Sequence, residues 1–219
     1  MIKKGFTLIE LLIVVAIIAI LAAIAVPNFL EAQTRAKVSR AKADIRTLAT
    51  ALESYMVDTN KYPPDITTED GKTVNATGGY FWYMSNYITT PIAYISSNMI
   101  IDPFRDKRST LPPAYLRFRY INFGMIGAYS PGGNPGVVPG SVATIATYQA
   151  GLQLFGSWRI SSSGPDAGAG AYSGGATTYY PTANGFAGAL IIYDPSNGTA
   201  STGDIVRSQK EADQKEKYQ

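Results

Sequence analysis

Apolar and polar residues sort this chain into three regimes. A basic pair, Lys3-Lys4, and Gly5 precede an apolar segment that opens at Phe6, and Leu11 to Val26 runs as 16 apolar residues without a break. As a helix, Phe6 to Val26 would be about 31 Å long, close to one hydrocarbon core. From Glu31 to Thr59 the pattern becomes a stripe. Ile45, Leu48, Leu52, Tyr55 and Met56 recur at three- and four-residue steps with Ala41 and Ala49 beside them, while Arg40, Lys42, Asp44, Arg46 and Glu53 take other positions. That spacing predicts an amphipathic helix continuing the apolar one. It ends before Lys61-Tyr62-Pro63-Pro64, where tandem prolines forbid continuation, so the whole helix runs from Phe6 to about Asp58, or ~80 Å.

Beyond the prolines the period shifts toward two. Leu116 to Phe123 sets Leu116, Phe118, Tyr120 and Asn122 against Arg117, Arg119, Ile121 and Phe123, and reads as a strand. Leu152–Ser161 reads as a second strand and Gly188–Tyr193 as a third, the most apolar and therefore expected at the centre of a sheet. Gly/Ser/Thr-rich stretches at 130–141 and 164–189 read as long loops. The tail from Arg207 is charged without apolar periodicity, and is expected to be disordered or a loosely attached helix. The predicted class is α+β: a long helix, apolar then amphipathic, packed on a small antiparallel sheet with long loops. The segments are 1–5, 6–30, 31–60, a β-rich globular domain at 61–206 and a tail at 207–219. Tyr80-Phe81-Trp82-Tyr83 is read first as core filling, with a ligand-stacking surface as the alternative.

Composition narrows the chemistry. The 219 residues suffice for one modest domain beyond the helix. A net charge of +3, with cations interleaved among acids, gives no nucleic-acid patch. The sequence has no Cys and no His, which removes disulfides, the commonest general base and the usual nucleophile dyads. Asp102, Asp166, Asp194 and Glu69 show no spacing that suggests acid/base hydrolysis, so an enzyme is disfavoured. The Gly-rich 164–175 stretch lacks the Gly-Lys-Ser/Thr ending of a phosphate loop.

Two residues stand out inside the apolar regime. Glu10 is a carboxylate that costs several kcal/mol at membrane depth without a partner. Its natural partner is a cation that arises on processing or assembly. Pro27 removes a backbone donor, so the helix must kink or stop there, and the stripe that resumes beyond it favours a kink. An ordinary secretory signal peptide fits poorly, because the apolar run exceeds a usual h-region. A plain membrane anchor fits its length and leaves Glu10 unexplained. Lys3 and Lys4 on one side and Arg35, Lys37, Arg40 and Lys42 on the other give no orientation by charge.

The stretch MIKKGFTLIELLIVVAIIAILAAIAVPNF resembles the class III signal and N-terminal helix of type IV prepilins and type II secretion pseudopilins, with Gly5, Phe6, Thr7, Glu10 and Pro27 all at the family's positions. The resemblance implies cleavage after Gly5 by a prepilin peptidase, N-methylation of Phe6, and pairing of Glu10 with a neighbouring subunit's first amine to set filament register. It implies a bend or melted stretch at Pro27. It also implies a single-pass protein of the inner (cytoplasmic) membrane with an extracytoplasmic, periplasmic domain.

Three shorter signatures resemble the major pseudopilin in particular: Lys61-Tyr62-Pro63, Asp102-Pro103-Phe104 and Ser163-Gly164-Pro165-Asp166. A fourth, Tyr193-Asp194-Pro195-Ser196-Asn197-Gly198-Thr199, is followed by Gly203-Asp204-Ile205. Pseudopilins of that type hold calcium between their last strands, and by position the resemblance puts Asp166 and Asp204 there, with Asp194 as a further candidate ligand. Calcium accepts such an all-oxygen set, although Asp-Pro, Asn-Gly and Gly-Asp are equally turn formers.

The expected function is a structural subunit of a pilus-like filament, foremost the pseudopilus of a type II protein secretion system. Its expected partners are other copies of itself, minor pseudopilins, the inner-membrane assembly platform and the prepilin peptidase. The alternatives are a type IV pilin and, behind it, a membrane-anchored extracytoplasmic binding module.

Overall fold

One helix of 52 residues, α1 (Leu8–Thr59), supplies both the shaft of the molecule and one layer of its core. The computed structural model describes residues 7–64, 66–67, 80–81, 84, 86–97, 100–105, 116–125, 151–153, 155–165, 180–182, 185–187, 193, 196 and 204–210. Thr7 caps the helix start. At the other end Asn60 adopts a left-handed conformation (φ 55°), and its N–H bonds Met56 O at 2.8 Å. The helix runs through Pro27 without interruption, so the possibility that it stops there is excluded. Pro27 cannot donate to Ala23 O, which makes this the weakest link of the shaft's backbone ladder.

Among the described residues the sheet has three antiparallel strands: β3 (Arg119–Asn122), β4 (Trp158–Ser162) and β7 (Ile205–Ser208), with β4 between the other two. Tyr120 pairs with Ile160, which pairs in turn with Arg207. Paired residues share a face, so Tyr120, Ile160 and Ile205 point to the same side as Phe118 and Trp158. That side packs on the helix stripe of Val38, Ala41, Ile45, Leu48, Ala49 and Leu52, with Met84, Ile88 and Tyr193 closing the core. Burying each larger aliphatic side chain stabilises by roughly 1.5–3 kcal/mol. Two further ribbons complete the described strands, β1 (Ile66–Thr67) with β2 (Tyr80–Phe81), and β5 (Tyr180–Thr182) with β6 (Gly185–Ala187).

This is the α+β arrangement expected, with corrections in detail. The strand predicted over Leu152–Ser161 begins only at Trp158. Residues 151–153 and 155 are helical, and Gly156, at φ +80°, turns the chain into the strand. Ile205–Ser208, which does not read as a strand in the sequence, is the third strand of the described sheet, while the strand expected at Gly188–Tyr193 lies, Tyr193 apart, outside the described residues. Four residues that include Arg207 carry too little apolar signal to be read as a strand, so the boundary at 206 falls inside β7. The tail is anchored through Lys210, since Gln209 N–H bonds Trp158 O and Lys210 N–H bonds Phe155 O, each at 3.2 Å. The loop expected at 164–189 contains the β5–β6 hairpin. Leu116 to Phe123 is buried on both faces, arginines included, so its alternation does not separate core from solvent. Arg159, on the face away from α1, stacks over the Phe155 ring at 4.9 Å. Of the 80–83 cluster, Trp82 and Tyr83 lie outside the described residues.

Candidate functional site

The N-terminal site begins with a capping box. Thr7 N–H donates to Glu10 Oε2 at 2.9 Å, Thr7 Oγ donates to the same oxygen at 2.8 Å, and Glu10 N–H donates back to Thr7 Oγ at 3.3 Å. The first turn's orphan donors and the lone carboxylate thereby satisfy one another. The Thr-x-x-Glu spacing that signals such a box is legible in the sequence at Thr7 and Glu10. Glu10 is exposed and Pro27 sits within the helix, while Gly5 and Phe6 lie outside the described residues.

Behind the box the shaft is bare. Every residue from Leu8 to Leu30 is exposed, including Leu8 at 78%, Leu21 at 61% and Phe29 at 66%. A continuous apolar surface about 33 Å long belongs in lipid or against other apolar helices. The segment is apolar and long enough to cross a membrane.

The signatures in the globular domain are brought together as fastenings. Tyr62, at the helix exit, donates its hydroxyl to the Glu53 carboxylate at 2.9 and 3.1 Å, and Trp158 Nε1 of β4 donates to Glu53 Oε1 at 2.8 Å. Burial and the adjacent Glu53 carboxylate push the Tyr62 phenol up to about 12. Pro63 O accepts from Tyr120 Oη at 2.8 Å and from Asn122 Nδ2 at 3.0 Å, so β3 holds the exit loop as well.

Asp102 joins the second signature to the third. It is 1% exposed, and its Oδ1 accepts from Phe104 N–H at 3.0 Å and Ser162 Oγ at 2.8 Å, while Oδ2 accepts from Ser163 N–H at 2.8 Å. Burial pushes this carboxyl above the usual carboxylate range, against the opposing pull of those donors and of Arg105. A buried carboxylate holding three donors fixes the turn at 102–105 to the end of β4. In the sequence Asp102 is a member of the Asp102-Pro103-Phe104 signature and a disfavoured acid/base candidate; the structure makes it a clasp.

The last signature closes on itself, with Tyr193 N–H donating to Asp204 O at 3.0 Å. Asp204 is buried at the start of β7, one step beyond the Ser162–Ile205 pair, which sets it across from Ser163. Ser163 Oγ is buried and makes no hydrogen bond among the described residues. An unused oxygen beside a buried aspartate is the donor chemistry calcium takes. Asp166 and Asp194 lie outside the described residues, and among the described residues no group of three or more His, Cys, Asp or Glu is placed to hold a metal.

Comparison with known proteins follows the same division. Residues 1–26 match the prokaryotic N-terminal methylation motif, and residues 28–124 match type II secretion system protein G. The chain is 55% identical over 60 residues to the type IV major pilin protein PilA of Myxococcus xanthus, covering 27% of each. It is 48% identical over 61 residues to type II secretion system core protein G of Pseudomonas aeruginosa, 28% of this chain and 43% of that one. To the core protein G of Aeromonas hydrophila it is 42% identical over 69 residues, 32% and 46% of the two chains. The chain thus spans less than half the length of these curated relatives. No solved structure matches it. The matches thus place the methylation motif at the N-terminus and a likeness to protein G behind it, and the relatives are named as type II secretion core protein G and type IV pilins.

Proposed function

We propose that the chain is a structural subunit of a pilus-like filament, specifically the pseudopilus of a type II secretion system. The observation that carries this reading is the bare apolar shaft headed by a capped glutamate. In the membrane, the Thr7–Glu10 box shields the carboxylate within its own subunit. On cleavage after Gly5, the free amine of methylated Phe6 on a neighbouring copy offers Glu10 a charged partner, which sets the register while apolar packing supplies cohesion. A contact of this head-to-tail kind does not close, so it propagates a filament. The protein G segment and the fastened signatures favour the pseudopilus over the type IV pilus. On this reading the globular domain faces away from the cytoplasm, and the assembly partners are minor pseudopilins, the membrane platform and the peptidase. The role is structural rather than enzymatic.

Mass spectrometry of the native N-terminus tests the processing, with a chain beginning at methylated Phe6 expected. Intact Met1 in membranes with an active prepilin peptidase overturns it. Glu10→Gln should insert normally and fail to assemble in register; ordinary filaments from that variant reject the pairing. We further propose calcium between the last strands, held by Asp166, Asp194 and Asp204, whose carboxylates it would neutralise. A melting temperature unmoved by chelator removes the ion.

A further inference from the structure

We propose that the cations in the first turns beyond the apolar shaft form a collar that binds anionic lipid headgroups, seating the domain on the membrane before assembly. The inference rests on the membrane reading above. Charge is sorted along α1. Arg35, Lys37, Arg40, Lys42 and Arg46 follow the shaft, opposed there only by Glu31 and Asp44, whereas the distal helix carries Glu53 and Asp58 and no cation.

Placement matches a headgroup layer. At 1.5 Å per residue, Arg35 and Lys37 lie about 8 and 11 Å beyond Leu30, and the polar layer outside the hydrocarbon core is roughly 5–8 Å thick. Long cationic stems span the difference. Arg40 and Lys42 sit within about one Debye length (~10 Å) of that layer. The pairs Arg35–Glu31 and Arg40–Asp44 consume both local acids, and Lys37 and Lys42 have no ion pair among the described residues. Helical spacing puts these two lysines on opposite flanks of the buried Val38–Ala41–Ile45 stripe, so the charge surrounds the shaft rather than marking one side. A basic collar on the domain side also runs against the usual excess of Lys and Arg at cytoplasmic ends. Attraction to phosphodiester headgroups accounts for it.

The test uses the full chain in mild detergent, with phosphatidylglycerol or phosphatidylcholine added and lipid retention read by native mass spectrometry. Wild type should retain phosphatidylglycerol preferentially, and less of it as salt is raised. Each lysine contributes roughly fivefold, so K37Q/K42Q should lose about 25-fold while K37R/K42R keeps the preference. Equal retention of the two lipids, or a preference that survives K37Q/K42Q, overturns the collar. If K37Q/K42Q instead weakens self-association in phosphatidylcholine and leaves phosphatidylglycerol retention intact, the cations serve a second copy and the lipid assignment falls. A parallel flotation assay separates the premises: a chain that floats with no vesicle of either lipid defeats the membrane reading, whereas one that floats with both and shows no headgroup preference defeats only the collar.

Discussion

Trp158 and Glu53 stand 105 residues apart in sequence, and the indole N–H of the first donates to the carboxylate of the second at 2.8 Å. That carboxylate also holds Tyr62 at the helix exit, and Tyr62 Oη in turn accepts from Gln209 Nε2 at 2.9 Å. One side chain of α1 therefore gathers the central strand, the exit loop and the end of β7. The Glu53 carboxylate thereby adds a polar tie between α1 and the domain beside the apolar stripe.

Glu53→Ala removes the acceptor shared by Trp158 and Tyr62. We expect a loss of about 1–2 kcal/mol in chemical denaturation, with Trp158→Phe costing at least as much because it also removes ring volume from the buried core. Equal stability of Glu53→Ala and wild type would show that the gathering point is idle.

Asp102→Ala strands Ser163 N–H and the Ser162 hydroxyl in the interior and should cost ~2–4 kcal/mol, read by denaturant midpoint. Asp102→Asn retains one acceptor oxygen and should cost less. Indistinguishable midpoints for the two variants would contradict the clasp.

Gly156→Ala meets two obstacles. The backbone there has φ +80°, and an added Cβ would lie 2.7 Å from Gln209 Oε1. We expect about 1–3 kcal/mol of destabilisation and faster proteolysis near Gln209–Lys210. Adding Gln209→Ala should relieve only part of the clash, since the Cβ of residue 209 would still lie 3.0 Å away, and should leave the backbone strain.

Alkaline pH offers a check on Tyr62. Its phenol is held at about 12 in the folded state against 10.0 unfolded. The folded form therefore binds the proton more tightly, so this stabilisation is complete below pH 10 and drains away as pH rises from 10 to 12. Melting temperatures across that window should fall more steeply for wild type than for Tyr62→Phe. Parallel curves would remove the linkage.

The long helix, its change from apolar to amphipathic and its end at the tandem prolines were legible in the sequence, because helical periodicity is local and 16 uninterrupted apolar residues admit few readings. Glu10 was legible for the same reason: a lone charge in such a run has an unavoidable cost. The strand at Arg119–Asn122 lies inside the alternating stretch Leu116–Phe123, although both of its faces are buried. What tertiary structure alone decided was everything set by contacts distant in sequence. Asp102 is an ordinary turn aspartate until Ser162 and Ser163 arrive 60 and 61 residues later, and Glu53, still exposed in the fold, gains its partners only when Trp158 reaches it. The short strand Ile205–Ser208 draws its identity from pairing with β4 rather than from its own four side chains. Period and composition fix elements, whereas a buried polar group acquires its role only from the partner that folding delivers.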